Sequence, residues 1–197
     1  MLKNYSIYLS RLKRLPMQWS FFLKNFKKCK NLIKISNFND NDIIIRGLKF
    51  WEISKVEKIF TLLNLSASGF GLSKRLLYFI AGRKIIYVAH DIKSNEIVGF
   101  DLFYFNDRDI VENTIHEGFI GILPPFQGQG IATKLRRHAI ENFRKSRLHG
   151  VSTRISESNA ASLASAKRLG FKIEESYFDL SIAEIRYYLV IHFKNVN

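Results

Sequence analysis

The sequence predicts an α+β (mixed α/β) domain behind a helical N-terminal arm. Three observations predict it. Apolar residues in the first 35 positions recur at steps of three or four, the period of a helix. From residue 43 to 193, short β-branched and aromatic runs are interspersed with amphipathic stretches. The first such pair of runs is joined by Ser94-Asn95, a hairpin turn with no room for a crossover helix. That excludes a doubly wound parallel sheet.

In the arm, Leu2, Tyr5, Leu9, Leu12, Leu15, Trp19, Phe22, Phe26, Cys29 and Ile33 form the stripe. Lys3, Arg11, Lys13, Arg14, Lys24, Lys27 and Lys28 fill the other positions. Pro16 kinks or divides this pattern, and it suits the first turn of a second helix. The run Ser36-Asn37-Phe38-Asn39-Asp40-Asn41-Asp42 is polar, and a boundary is placed there. Residues 1–42 thus read as a basic extension and 43–197 as the domain. Ile43–Arg46 is a short strand. Phe50–Leu65 has helical spacing at Trp51, Val56, Ile59, Phe60 and Leu63, and Ser66–Gly71 is a loop. Ser73–Ala81 is a short helix with Gly82 as its stop. Lys84–His90 and Ile97–Phe105 form the hairpin, and Ile115–Leu123 is a third long strand. Gly130–Ser146 is a helix with Ile131, Leu135, Ala139 and Phe143 on one face. Val151–Ile155 is a strand, Ala160–Arg168 a helix, and Phe171–Tyr177 and Arg186–Phe193 are strands.

Composition bounds the function. The 197 residues suit one domain, and 47% are apolar, enough for a core. The one cysteine, Cys29, excludes an internal disulfide and a cysteine metal cluster, and suits a reducing cytoplasmic compartment. The histidines show no metal-ligand spacing, so no metal is expected. No apolar run approaches the roughly 20 residues of a membrane span, and no secretory signal is evident. The formal net charge is +14, concentrated in the first forty residues and the last third. Such regions attract phosphates, lipid headgroups and nucleic acid.

The stretch Pro124-Pro125-Phe126-Gln127-Gly128-Gln129-Gly130-Ile131-Ala132 follows a strand and opens a helix. Glycine is a poor helix former, by roughly 1 kcal/mol against Ala. At a helix N-terminus, free N–H groups and the positive end of the dipole attract anions, and glycines let a phosphate approach closely. A plain loop using Gly for its geometry accounts for the short pattern equally well. A Walker loop is absent, and so is GxGxxG, because Thr133 stands at the last glycine position.

Gln127-x-x-Gly130-x-Ala132 resembles the acyl-CoA signature of the GNAT superfamily of N-acetyltransferases. The likeness extends further. Ile44-Ile45-Arg46-Gly47-Leu48 resembles the opening strand of that family, and Lys84–Phe105 resembles its second and third strands. Ser158-Asn159-Ala160-Ala161-Ser162 with Arg168-Leu169-Gly170-Phe171 resembles its second signature. The resemblance covers residues 43–193. It implies a central twisted, mostly antiparallel sheet of about six to seven strands flanked by helices. It also implies acetyl-CoA as co-substrate. Backbone groups of Ile122 and Leu123 would pair with the pantetheine arm. Those of Gln127, Gly128, Gln129, Gly130, Ile131 and Ala132, with Thr133, would hold the pyrophosphate. Asn159 would hydrogen-bond the pantetheine. Lys134, Arg136 or Arg137 could reach the remaining phosphate, though a solvated helix face accounts for each as well.

Acetyl transfer to an amine needs a proton acceptor. In the family it usually projects from the fourth strand, where this chain carries His116 and Glu117 on opposite faces. His116 is the expected base, with an ordinary pKa near 6.5, and Glu117 is the second choice; a structural strand histidine is the competing reading. Glu112 and Glu157 remain open. Many members carry a tyrosine acid where this chain has Ala166, which leaves Ser165, Tyr177 or water for that role, or a reaction that needs no acid. The resemblance implies transfer of acetyl to a primary amine of a small molecule or amino sugar, with a peptide or protein amine as the alternative. A reading of another class is an inactive basic protein bound at a membrane surface or nucleic acid; no nucleic-acid motif supports the latter. The arm is expected to pack on the domain, pair with a second subunit, or lie on an anionic membrane from the cytoplasmic side.

Overall fold

The computed structural model describes the backbone of residues 2–64 and 69–194, and the side chains of residues 16–64 and 69–194. The stripe over residues 2–15 and the loop residues 65–68 therefore lie outside the described side chains.

The arm is one helix, α1 (Leu2–Cys29), which runs through Pro16 without being divided. Its second half is tied to the domain. Phe22, Cys29 and, beyond the helix, Leu32 and Ile35 are buried in the common core. Asn25 is fully buried: its side chain accepts the Phe105 N–H at 2.7 Å and donates to the Phe105 carbonyl at 2.9 Å. An amide that caps a strand end in this way satisfies groups that burial would otherwise leave unpaired.

The polar stretch after the arm contains β1 (Phe38–Asp40), which pairs antiparallel with β2 (Ile43–Gly47). Thus the sheet has eight strands among the described residues, rather than six or seven. A 3-10 turn, Phe50–Glu52, leads into α2 (Ile53–Leu63), and α3 spans Leu72–Ile85. Gly82 does not stop α3; it lies inside the helix, where an added Cβ would sit 3.2 Å from Leu48. That glycine serves close packing of helix on strand, and the helix continues until β3 (Ile86–Asp91) begins. After β4 (Glu96–Tyr104) comes α4 (Asp107–Glu112), which the sequence reading lacked. Asn106 caps it, accepting the Asp109 N–H at 3.0 Å, and Asn113 closes it in the left-handed conformation. The remaining elements are β5 (Thr114–Ile122), α5 (Ile131–Lys145), β6 (Gly150–Ser156), α6 (Ala160–Arg168), β7 (Lys172–Asp179) and β8 (Glu184–His192).

The sheet order is β1-β2-β3-β4-β5-β6-β8-β7, antiparallel except for β5 with β6. One face carries α5, packed through Phe143 against Tyr87 and Phe103 with ring centroids 5.6 and 4.8 Å apart. The other face carries α1, α2 and α3. There Phe60 meets Phe119 at 4.9 Å, Phe119 stacks on Phe100, and Phe21 meets Tyr104. No described helix is long and apolar enough to cross a membrane.

Candidate active site

Strands β5 and β6 pair in parallel only from Thr114–Glu117 with Gly150–Thr153. Beyond that register they separate, and the gap opens into a cavity of about 550 Å³. Residues from both faces line it. Leu63 and Phe119 come from the α2 side, and Thr133, Arg136, Ser162 and Ser165 from the α5–α6 side. The cleft therefore passes through the sheet.

Its rim is the glycine turn. Pro124–Phe126 forms a 3-10 turn, Gln127 is extended, and Gly128 and Gly130 take φ of +76° and +75°. Gly130 is the N-cap of α5 rather than part of its first turn. A Cβ at either glycine would meet nothing within 4 Å. The left-handed backbone demands glycine here, and the space before it stays open. The first N–H groups of α5 face that space, with neither a side-chain cap nor an acid in the first turn. Gln127 braces the turn by donating from Nε2 to the Ile122 carbonyl at 2.8 Å. The Leu123 N–H is engaged with the Val98 carbonyl at 2.8 Å. By antiparallel alternation, the edge of β5 turned toward β6 is then that of Ile120 and Ile122. Of the two positions expected to pair with an extended ligand, Ile122 lines the cleft and Leu123 does not; Ile120 is the added position.

Gly128, Ile131, Ala132, Thr133 and Asn159 also line the cleft, as does Gln127, whereas Gln129 does not. Asn159 caps α6 through its carbonyl oxygen, which accepts the Ser162 N–H at 3.1 Å, so its amide NH₂ remains for a ligand. Thr133 and Ser165 share a hydrogen bond of 3.0 Å across the cleft. Ala166 is fully buried beneath them.

His116 and Glu117 point to opposite faces, as expected, but neither lines the cleft. Glu117 forms a bidentate ion pair with Arg136, at 2.7 and 2.8 Å, and accepts from Thr153 at 2.9 Å. Arg136 also donates to the carbonyl and hydroxyl of Ser162, joining β5, α5 and α6. Asp101 lies beside this pair, fully buried. Burial first, and then the Glu117 charge, push its carboxyl pKa well above the usual range. Glu117 is thus the anion of a structural clamp. Arg136 is likewise no free phosphate ligand, and Lys134 pairs with Asp40. Arg137 is exposed and has no carboxylate partner among the described residues.

His116 is 3% exposed. Its Nδ1 lies 2.7 Å from Ser152 Oγ, and that hydroxyl donates to Asp109 Oδ1 at 2.7 Å. With the Ser152 hydrogen committed to Asp109, Nδ1 is the donor and Nε2 carries the lone pair. Burial first, and then the charges of nearby Arg154 and Arg186, together lower the His116 pKa to about 3. A histidine so placed is neutral and weakly basic. The pKa near 6.5 that recommended it as a base is therefore corrected by its surroundings. Tyr104 covers it, with ring centroids 5.3 Å apart, and packs on Gly118, where a Cβ would overlap the tyrosine ring. Neither Tyr104 nor Arg154 and Arg186 stood out in the sequence. Only the pairing of β4, β5, β6 and β8 brings them together.

A splayed parallel pair, the β5 edge turned toward β6 and a glycine-built helix start together form this cleft. A model of the acetyltransferase (GNAT) family matches residues 57–171, more than half of the chain, and the chain belongs to that family. It is an N-acetyltransferase, and acetyl-CoA is its co-substrate. No curated protein matches it. Among solved structures, a putative acetyltransferase from Salmonella typhimurium with acetyl-CoA is 17% identical, with a TM-score of 0.67. The match covers 80% of this chain and 97% of that one. The NatC complex bound to Gag peptide and CoA is 18% identical at a TM-score of 0.65, covering 78% and 99%. Spermidine N-acetyltransferase from Vibrio cholerae is 18% identical at 0.60, covering 78% and 95%. At such identities the likeness is one of fold.

Proposed function

We propose that this enzyme acetylates the primary amine of a small molecule that also carries negative charge, such as an acidic amino sugar. The observation that supports it is the positive charge on the β6–β8 side of His116. Arg154 and Arg186 lie close enough to His116 to depress its pKa. Arg154 is exposed and has no acid partner among the described residues, and Arg186 pairs with Asp179 at 3.4 Å. A cationic surface of this kind attracts anions and repels polycations. It therefore disfavours a polyamine, the substrate class named for the Vibrio cholerae neighbour. A peptide amine, as in the NatC complex, is the second reading, and it calls for an acidic residue near the peptide N-terminus.

Acetyl-CoA would lie with its pyrophosphate on the glycine turn and its pantetheine along Ile120 and Ile122, near the Asn159 amide. Once bound, it supplies the thioester whose carbonyl the amine attacks. With His116 weakly basic and Glu117 clamped, the amine gives its proton to water. Ser165, hydrogen-bonded to Thr133 in the cleft, would relay a proton from water to the leaving thiolate. The test is free-thiol release from acetyl-CoA with matched acceptors: neutral and acidic amino sugars, spermidine, and peptides with neutral or acidic second residues. Faster turnover of the acidic amino sugars, lost in Arg154→Glu, is expected. Preference for spermidine would refute the proposal.

A further inference from the structure

We propose that the outward face of α3, together with the 3-10 turn at Phe50–Glu52, docks on an anionic lipid bilayer. The inner face of α3 is core: Leu77, Tyr78, Ala81 and Ile85 are buried. A surface helix normally turns polar residues outward. Here Leu72, Phe79 and Ile80 are 73%, 54% and 50% exposed. Phe50 and Trp51 extend the same surface at 53% and 65%. Phe50 bridges the two segments, with its ring centroid 4.8 Å from Trp51 and 5.2 Å from Phe79. Five large apolar side chains thus stand in water, three of them in one aromatic cluster. Contiguous patches of this kind mark interaction surfaces.

Charge selects the occupant. Helix α3 carries Lys74, Arg75, Arg83 and Lys84 and no acid. Lys49 lies over the Trp51 ring, its Nζ 5.6 Å from the centroid. The neighbouring carboxylates are engaged. Glu52 is buried against Arg46 at 2.7 and 2.8 Å, while Glu57 accepts the Phe70 N–H and pairs with Arg75. Helix α1 lies beside α3, with Lys84 donating to the Cys29 and Lys30 carbonyls, and it contains no acid either. A second copy of the chain on this patch would oppose cations to cations. An anionic bilayer accepts both features: aromatic rings enter the headgroup boundary, and Lys and Arg meet lipid phosphates. The cofactor turn belongs to α5, on the opposite face of the sheet, so docking leaves it in water.

The test uses the full chain with phosphatidylcholine vesicles, with and without phosphatidylglycerol, in a sedimentation assay. Binding to the anionic vesicles that weakens with salt is expected. Each cation meeting the surface contributes about five-fold. Trp51→Glu combined with Phe79→Glu should reduce partitioning by about ten-fold or more. Both positions are exposed, so the circular dichroism spectrum should not change. In a Trp19→Phe background, Trp51 emission should shift to the blue on binding. Equal vesicle binding by the double variant, as an arm acting alone would give, overturns the proposal. So does a double variant that loses self-association or RNA retention while the parent ignores vesicles.

Discussion

Replacing Arg136 by Met removes the cation of the buried clamp. Arg136 and Glu117 side chains are each 2% exposed, so water cannot substitute for either partner. The variant loses both contacts to Glu117 and both to Ser162, and Glu117 keeps only Thr153 and its own strand. Stranding one member of a buried pair costs about 3–5 kcal/mol. For a chain of this size, each kcal/mol lowers the melting temperature by about 2–4 °C, so a fall of roughly 6–20 °C is expected. Thermal unfolding followed by circular dichroism at pH 7.5 measures it. The double variant Arg136→Met/Glu117→Leu supplies the control. An apolar pair of similar volume is often neutral or stabilising, so the double variant should regain most of the loss. Because Arg136 anchors α6 through Ser162, the single variant should also bind acetyl-CoA more weakly. A single variant melting within about 2 °C of the parent would refute the reasoning. So would a double variant no more stable than the single.

The remaining predictions concern the turn and two buried titrating groups. Gly130→Ala should cost on the order of 1–2 kcal/mol through its left-handed φ yet stay folded, while Gly130→Val should also abolish acetyl-CoA binding by calorimetry. Unchanged affinity in a folded Gly130→Val protein would remove the turn from the cofactor site. His116 is depressed to about 3 from 6.5, so the unfolded chain binds the extra proton between those values and stability falls on acidification. His116→Gln should flatten that slope, worth up to about 1.4 kcal/mol per pH unit. It should also leave any ascending limb of kcat/KM in place, moving only with the pKa of the acceptor amine; loss of a limb near pH 6–7 in this variant would restore His116 as base. Asp101 has the opposite sign: its raised folded pKa makes stability fall as pH rises above the unfolded value of 3.8. Asp101→Asn should therefore gain on the parent with rising pH in urea titrations, and a parallel pH dependence would contradict the raised pKa of Asp101.

What was legible in the sequence was local, and what escaped it was assembled across the sheet. Gly128 and Gly130 were readable because helix propensity makes glycine conspicuous at that place, although the cause is the left-handed backbone and not space alone. Asn159 was readable because the resemblance placed it at the head of its helix, though its role as the cap of α6 was not. Phe38–Asp40 was not, since an edge strand takes its conformation from the backbone of β2 and leaves no apolar alternation behind. Gly82 carried the signal of a helix stop, but Leu48, thirty-four positions away, decided its use. The Arg136–Glu117 clamp links positions nineteen apart with no spacing rule to betray it.

His116 shows where such reading ends. Strand alternation correctly separated it from Glu117, because the period of two is local. Its chemistry depends instead on Tyr104 from β4, Ser152 from β6 and Asp109 from α4. These groups close it from water and fix which nitrogen holds the hydrogen. A residue type states which reactions a side chain could serve, but solvent access sets its pKa, and access is a property of the packed sheet. The same reasoning separates the two ends of this enzyme. The proposed cofactor end is built from backbone groups and glycines, whose roles follow from position along the chain. The proposed acceptor end is built from side chains of several strands, so its charge became visible only when the strands were set side by side.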